Sequence, residues 1–301
     1  MELWIPVTLF AAAIQTLRFG LQRQLRTTQL SSLGATFSRY LYSAPLAVLG
    51  FVTYTAATGQ AWPTPSTAFW AYLVFGAGMQ VLATVCMMAL FARRNFSVGI
   101  AFSKTTVLMA VPVGWVMLGD TTTFWGLAAI LTGFIGVTIL SDTPSLTGQG
   151  FMRRILTPAT GLGLLAGVLF ACAGVGYRAA LLAMPQPDPV FRALFALACG
   201  TVFQTGIMAI WMRVRERGEV SRVFRAWRIA GLVGLTSAIG STCWFIAFTL
   251  QNVAYVNALG QIELLFSLAL TVFVFRERIT VREVQGGALL TLSILALILL
   301  A

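Results

Sequence analysis

Apolar stretches follow one another along the whole chain, with short polar connections between them. A helix that crosses a bilayer needs about 20 apolar residues. Ten segments meet or approach that length, at residues 3–22, 33–56, 67–91, 96–118, 124–141, 159–183, 190–212, 229–250, 253–275 and 284–301. The pattern predicts an all-α, polytopic membrane protein with ten transmembrane helices.

The basic residues indicate how these helices alternate across the membrane. Of the 20 Lys and Arg residues, fifteen lie in five clusters, and two predicted helices separate each cluster from the next. The clusters are Arg23/Arg26, Arg93/Arg94, Arg153/Arg154, the six arginines from Arg213 to Arg228, and Arg276/Arg278/Arg282. Basic residues in short loops favour the cytoplasmic side. We therefore expect all five clusters in the cytoplasm and both chain termini outside.

Composition agrees with a membrane protein. The chain is 58% hydrophobic and only 10% charged, with a mean hydropathy of +0.86, which excludes an ordinary soluble domain. A net charge of +11 suggests nucleic acid in a soluble chain, but here the excess lies at helix ends, so we expect the lipid bilayer and not nucleic acid as partner. The four cysteines lack metal-binding spacing, and we expect no metal and no cofactor.

The two halves of the chain can be aligned with each other. A shift of 157 residues places Cys86 on Cys243, Phe91 on Phe248, Asn95 on Asn252, Leu108 on Leu265, Asp120 on Glu277 and Thr123 on Thr280. Each half has five predicted crossings, an odd number, so the two copies insert in opposite orientations. The sequence predicts two inverted five-helix repeats, residues 1–142 and 159–301, joined by a cytoplasmic connector at residues 143–158.

Several short motifs resemble one family. They are Gln15 to Arg23, Arg39 with Pro45, Asn95 to Thr105, Leu118-Gly119-Asp120 before Gly126, Tyr177-Arg178, and Gln261 to Glu263 running on to Arg276-Glu277-Arg278 and Gly286. Together they resemble the ten-helix drug/metabolite transporter superfamily of the EamA type. The resemblance implies a central substrate cavity between two repeats and transport of small metabolites, often amino acids and frequently outward. It further implies a bacterial inner-membrane protein, either a monomer or a homodimer.

Six ionisable residues lie inside predicted spans: Arg18, Arg39, Lys104, Arg178, Arg192 and Glu263. Charges within a membrane are costly and usually face a cavity or one another. Lys104 and Glu263 lie on counterpart helices at depths that differ by roughly 6 Å, so the two side chains can meet. The pair either fixes helix packing, or it forms a site in which Lys104 holds an anionic substrate group and Glu263 takes an amino group, a proton or Lys104 itself.

Arginines near helix ends have a simpler explanation, because long side chains can reach the headgroups. This applies to Arg18, Arg178 and Arg192, although Arg178 belongs to one of the family-like motifs. Arg39 lies deeper and is expected to line the cavity. The predicted substrate-binding residues are Lys104, Glu263, Arg39, Gln15, Tyr40, Gln80, Trp244, Asn257, Gln261 and Arg178.

Among the predicted site residues, the cations Lys104 and Arg39 outnumber the single carboxylate of Glu263, which favours a ligand with a negatively charged group. We therefore predict a secondary transporter of amino acids or other carboxylate-bearing solutes, which exports them by alternating access. An organic-cation or multidrug carrier with Glu263 as its proton or cation site is the alternative, and a channel is a further one. An enzyme is not expected, because the chain has no His and no metal-ligand cluster.

Overall fold

The computed structural model describes residues 2–28, 30–91, 104–141, 158–216, 218–273 and 280–300, and within these ranges the chain forms helices and no β-strand. The described helices are α1 (Trp4–Thr28), α2 (Ser32–Thr58), α3 (Thr67–Phe91), α4 (Thr106–Leu118), α5 (Phe124–Ser141), α6 (Pro158–Leu182), α7 (Pro189–Arg215), α8 (Glu219–Arg225), α9 (Trp227–Leu250), α10 (Val253–Gly260), α11 (Ile262–Phe273) and α12 (Val281–Leu300).

Seven of the described helices are long and apolar enough to cross a membrane, namely α1, α2, α3, α6, α7, α9 and α12. Shorter apolar helices occupy Thr106–Leu118, Phe124–Leu140 and Val253–Phe266. All of these coincide with segments for which the hydrophobic pattern predicts a crossing. The prediction of an all-helical, polytopic membrane protein is confirmed, whereas the count of ten crossings and the inverted repeat stay predictions.

The structure differs from the predicted helices at one point inside a span. The sequence suggests a continuous helix over residues 253–275, but α10 ends at Gly260 and α11 begins at Ile262. Around Gln261 the backbone makes i to i−3 hydrogen bonds, from the Gln261 amide to Ala258 and from the Leu264 amide to Gln261. Such tight turns interrupt an α-helix locally. The start of predicted helix 4, most of the connector 143–158 and the end of predicted helix 9 lie outside the described residues.

The chain divides into two compact units, and each unit takes residues from both halves of the sequence. The first unit comprises residues 1–78 and 176–251, and the second comprises residues 79–175 and 252–301. Contacts define these units, whereas the predicted repeats are defined by alignment of the two sequence halves. The repeat boundaries at 142 and 159 therefore stay a prediction.

In the first unit, α9 packs against α1 and α2, and α2 packs against α7. Gly234 permits the close approach of α9 to α2, since a Cβ at this position would lie 2.2 Å from the Cβ of Tyr42. Aromatic rings fill the space between α2 and α7, where the Phe51 ring centroid lies 5.4 Å from that of Phe191 and 5.2 Å from that of Phe195. Helix packing here rests on small residues and interlocked rings.

Asp188 organises the connection before α7. Its carboxylate accepts hydrogen bonds from the Tyr54 hydroxyl at 2.7 Å, the Gln60 amide at 2.8 Å and the Val190 backbone amide at 2.9 Å. Burial favours the neutral acid, but these hydrogen bonds outweigh it and hold the pKa of Asp188 below its usual value. Asp188 thus caps α7, and Pro189 occupies the first helical position, where no amide donor is needed.

In the second unit, α5 packs along α12. The Ser293 hydroxyl of α12 donates to the Ala129 carbonyl of α5 at 2.7 Å. The Tyr255 hydroxyl of α10 accepts a hydrogen bond from the backbone amide of Thr123, just before α5, at 2.8 Å. These contacts fix α5, α10 and α12 as a scaffold for the residues that precede α4 and α11.

Candidate functional site

An ion pair in the second unit joins the two intramembrane residues of opposite charge. Lys104 Nζ lies 2.9 Å from Glu263 Oε1. The Lys104 side chain is 25% exposed and that of Glu263 is 11% exposed, so the pair is largely removed from solvent. The predicted proximity of the two residues is confirmed, and their part in substrate binding stays a prediction.

Both members of the pair lie where a helix begins. Lys104 directly precedes Thr105, the N-cap of α4, and Glu263 lies in the first turn of α11, just after the break at Gln261. The amide end of a helix disfavours a cation, so the position of Lys104 just before α4 is unfavourable for its ammonium, and the contact with Glu263 offsets this cost.

A small cavity adjoins this pair. Its polar lining comes from Lys104, Gln261 and Ser293, and the rest of its wall is apolar, with Val107 and Ile130 among the contributors. It has space for about one water molecule, which is far too small for a metabolite. The side-chain carbonyl oxygen of Gln261 is buried and has no hydrogen-bond partner among the described residues.

Asn257 and Gln80 are the other predicted site residues in the second unit. Asn257 is half-buried on α10 and lies four residues before Gln261, so both project from the same side of the chain. Gln80 is half-buried on α3. The structure thus brings Lys104, Glu263 and Gln261 together.

The first unit holds Arg39 and Tyr40, neighbours in the second turn of α2. The Tyr40 side chain is 1% exposed, and its hydroxyl has no hydrogen-bond partner in the described part of the chain. The half-buried Arg39 guanidinium lies 5.2 Å from the Tyr40 ring centroid, and within the described ranges no hydrogen bond or ion pair of this group is found. An unpaired guanidinium in an apolar helix is costly. Arg39 is therefore the strongest candidate in this unit for an anionic ligand.

Gln15 and Trp244 belong to a hydrogen-bonded group between α1 and α9. Gln15 Oε1 accepts from the Trp244 indole at 3.2 Å and from Arg18 Nη2 at 3.2 Å. Arg18 is only 3% exposed, and it lies 4.9 Å from the Phe19 ring centroid. The expectation that Arg18 reaches outward to the headgroups is wrong, because the local partners Gln15 and Phe19 hold its side chain inside the unit.

Arg178 is engaged with the end of a helix. Its Nη1 donates to the Phe248 carbonyl at 2.5 Å and to the Gln251 carbonyl at 2.7 Å. Phe248 and Gln251 lie at the C-terminal end of α9, where carbonyls lack helical partners and a cation is favoured. Arg192 acts similarly, since its Nε donates to the Gln186 carbonyl. These contacts favour a structural role for Arg178, and its predicted part in substrate binding stays a prediction.

Replacement of Arg178 by methionine should lower stability and leave substrate affinity unchanged. The variant leaves two carbonyls without their donor, and the loss of charge-assisted hydrogen bonds should cost about 3 kcal/mol of unfolding free energy. Thermal unfolding and the KM for uptake into proteoliposomes measure the two effects. Arg213→Met, which alters an exposed residue, is the control. A raised KM with wild-type stability would instead place Arg178 at the substrate.

Two residues near the predicted site residues were not themselves predicted to bind substrate, although Tyr177 belongs to one of the family-like motifs. Tyr177 accepts a hydrogen bond from the Gln204 amide at 2.9 Å, and the Tyr177 ring centroid lies 4.7 Å from that of Phe245. Ser293, beside Lys104 in the small cavity, was missed as well. A polar residue inside an apolar helix is the signal that could have drawn attention to Tyr177 and Ser293.

Comparison with known proteins gives a family for the second half of the chain. Residues 158–299 match the EamA-like transporter family. The EamA family is a family of membrane transporters of the drug/metabolite type, which confirms the resemblance seen in the motifs and agrees with the prediction that this EamA-like protein is not an enzyme.

The fold of this EamA-like chain has a counterpart among solved structures. One structure, described only as "Crystal structure of protein", aligns with a TM-score of 0.69, covers 97% of this chain and 99% of its own, and shares 16% sequence identity. At this identity the similarity shows the fold alone. No curated protein matches the chain in sequence.

Proposed function

We propose that this EamA-like protein is a secondary transporter that exports amino acids or other small carboxylate-bearing metabolites by alternating access. The observation that carries the proposal is the Lys104–Glu263 pair, at 2.9 Å and next to the helix break at Gln261. Broken helices and intramembrane charges mark substrate and ion sites in transporters. Membrane transport itself follows from the family, and the substrate class, direction and mechanism are our proposal.

The Lys104–Glu263 pair suits a ligand that carries one positive and one negative charge. A substrate carboxylate can take the Lys104 ammonium from Glu263, and the freed Glu263 carboxylate can then take the substrate amino group. Each buried charge keeps a partner during this exchange, which avoids the large penalty of an isolated charge in a low-dielectric site. In this proposal the observed ion pair is the state of the site without substrate.

The remaining polar groups supply further hydrogen bonds in the proposed site. The unpartnered Gln261 carbonyl oxygen can accept from a ligand amine, and Asn257 lies on the same side of the chain. In the first unit the Arg39 guanidinium and the Tyr40 hydroxyl are donors suited to an anion. Gln15 and Trp244 are polar groups that the first unit offers to a ligand, and Gln80 is one that the second unit offers. Arg178 remains a proposed site residue whose described contacts are with main-chain carbonyls.

An organic-cation carrier is the second candidate. It is favoured by the burial of Glu263, whose residue is 9% exposed, because a buried carboxylate without Lys104 would attract a lipophilic cation or a proton. The organic-cation hypothesis requires Lys104 to move away from Glu263 when the cation binds. Lys104 already neutralises Glu263 in the observed pair, so we favour a ligand that brings its own carboxylate over an organic cation.

A ligand screen on the purified protein tests the proposal. A ligand that binds only the folded state raises the unfolding temperature. We expect amino acids or small organic acids to stabilise the protein, and Arg39→Gln to weaken the apparent affinity roughly 10- to 100-fold, since a lost charge-assisted hydrogen bond costs about 1.5–3 kcal/mol. Arg192→Gln, at another half-buried arginine, is the control and should bind as the wild type does. Stabilisation by organic cations alone would overturn the assignment.

A further inference from the structure

The connection between α7 and α9 carries a short helix whose two sides differ in charge. Within α8 and the turn after it, Glu219, Val223 and Ala226 are buried. Arg222, Phe224, Arg225, Trp227 and Arg228 are exposed, with Phe224 at 55% and Trp227 at 61%. We call these five exposed residues the arginine face. It combines three cations with two large aromatic rings on a surface of the first unit.

The acidic residues of this connection are turned away from the arginine face. Glu219 Oε1 accepts a hydrogen bond from the Ser31 backbone amide at 2.5 Å, and Glu216 Oε2 accepts one from the Ser31 hydroxyl at 2.5 Å. Glu219 also contacts Arg222 at 3.2 Å, the one ion pair of the face that the structure describes. Both carboxylates therefore accept hydrogen bonds from Ser31 at the start of α2. The outer side of α8 keeps a net positive charge.

The position of α8 does not depend on the exposed arginines. The Tyr42 hydroxyl of α2 donates to the Val223 carbonyl at 3.3 Å, and Gly34 leaves room for Glu219, because a Cβ there would lie only 2.4 Å from Glu219 Oε1. These contacts all lie on the buried side. Removal of charge from the outer side should therefore leave the fold of the unit intact.

The place of α8 in the chain indicates what its outer side meets. Helices α7 and α9 are both long and apolar enough to cross a membrane, so the residues that join them lie at one membrane surface. Exposed aromatic rings prefer this interface, and a cluster of arginines beside a transmembrane helix attracts anionic headgroups. Trp227 of the arginine face lies close to an arginine, since the Arg228 guanidinium is 5.7 Å from its ring centroid, and the nearby Trp211 of α7 lies 5.9 Å from Arg215 in the same way.

We propose that the arginine face is a binding site for anionic phospholipid headgroups. The arginines contact the lipid phosphates, Phe224 and Trp227 insert among the upper acyl carbons, and the buried side of α8 ties the bound lipid to the start of α2 through Glu219 and Ser31. A bound anionic lipid thus stabilises the junction of α2, α7 and α9. This function is separate from solute transport.

Lipid binding by the purified full-length protein in neutral detergent tests the proposal. Native mass spectrometry measures the affinity for phosphatidylglycerol, for phosphatidylcholine and, in a separate arm, for inorganic phosphate. We expect preferential binding of phosphatidylglycerol. The double variant R225Q/R228Q should bind it about 25-fold more weakly, because each arginine near a membrane surface contributes about fivefold. The charge-conserving variant R225K/R228K should keep most of the affinity.

Two controls separate the arginine face from other causes. Arg282→Gln removes an exposed arginine on α12, in the second unit, and should leave phosphatidylglycerol binding unchanged. Thermal unfolding without added lipid should be the same for wild type and R225Q/R228Q. Equal binding of the two phospholipids, wild-type affinity in R225Q/R228Q, or equal affinity for inorganic phosphate would each overturn the proposal. Competition by a short RNA at equal affinity would assign the face to nucleic acid and overturn it as well.

Discussion

Replacement of Lys104 by alanine should abolish saturable transport and also lower the stability of the protein. The variant leaves the Glu263 carboxylate, in a residue only 9% exposed, without its cationic partner at 2.9 Å. Loss of one partner of a buried pair is strongly destabilising, and here we expect about 2 kcal/mol, because the Lys104 side chain keeps some access to solvent. Glu263→Gln should likewise abolish transport. Uptake into proteoliposomes and thermal unfolding of the same preparations measure both effects.

A double variant separates binding from helix packing. Lys104→Met combined with Glu263→Leu replaces the ion pair by two apolar side chains, an exchange that is often neutral or stabilising in other proteins. We expect this variant to recover wild-type stability while transport remains absent. If it recovers transport as well, the pair serves packing alone. Normal uptake by either single variant would remove the pair from the substrate site altogether.

Sequence reasoning anticipates those long-range features of the chain whose absence would carry a large free-energy penalty. An apolar segment of bilayer length predicts a helix well, since exposed backbone cannot persist in lipid. Helices α2 and α9 lie within two residues of their predicted bounds, whereas α1 continues six residues past its predicted end, to Thr28. Lys104 and Glu263 are found together for the same reason, because isolated charges of opposite sign at similar depth seek each other.

Other features depend on details that hydrophobicity does not encode. The break at Gln261 follows from a local change in hydrogen bonding that no proline signals. The partners of Arg178 are main-chain carbonyls at the end of α9, which residue identity does not reveal. Helix α8 escapes prediction because its seven residues are too few to show a periodic pattern. For this reason the sequence suggested substrate contact at Arg178. It also revealed the cluster of arginines from Arg213 to Arg228, but not that three of them share an exposed face with two aromatic rings.

Small residues at the contact of α5 with α12 should be essential for the stability of the second unit. A Cβ at Gly136 would lie 2.9 Å from the Gly286 carbonyl oxygen and 2.9 Å from the Leu290 amide nitrogen. A Cβ at Gly286 would lie 2.8 Å from the Gly136 carbonyl oxygen. These neighbours are main-chain atoms, which cannot rotate away, so one added methyl group must force the helices apart. Close helix packing in membranes commonly depends on such glycines.

Gly136→Ala should therefore lower the unfolding free energy by about 1–3 kcal/mol, the usual cost of overpacking, even though alanine favours a helix by about 1 kcal/mol over glycine. Gly206→Ala is the matched control on α7, because no atom lies within 4 Å of the added Cβ there, and it should be neutral or stabilising. Thermal unfolding in detergent measures the stability of the wild type, Gly136→Ala and Gly206→Ala. Equal stability of Gly136→Ala and Gly206→Ala would refute the close contact.

The combination of Gly136→Ala and Gly286→Ala provides a sharper test of the same contact. Each added methyl group meets the main chain of the other glycine, so the first substitution already separates α5 and α12 and makes room for the second. Contacting residues show such coupling, whereas distant ones add. We expect the double variant to lose less stability than the two single losses together. Simple additivity would mean that the two glycines act independently and that α5 and α12 do not meet at this point.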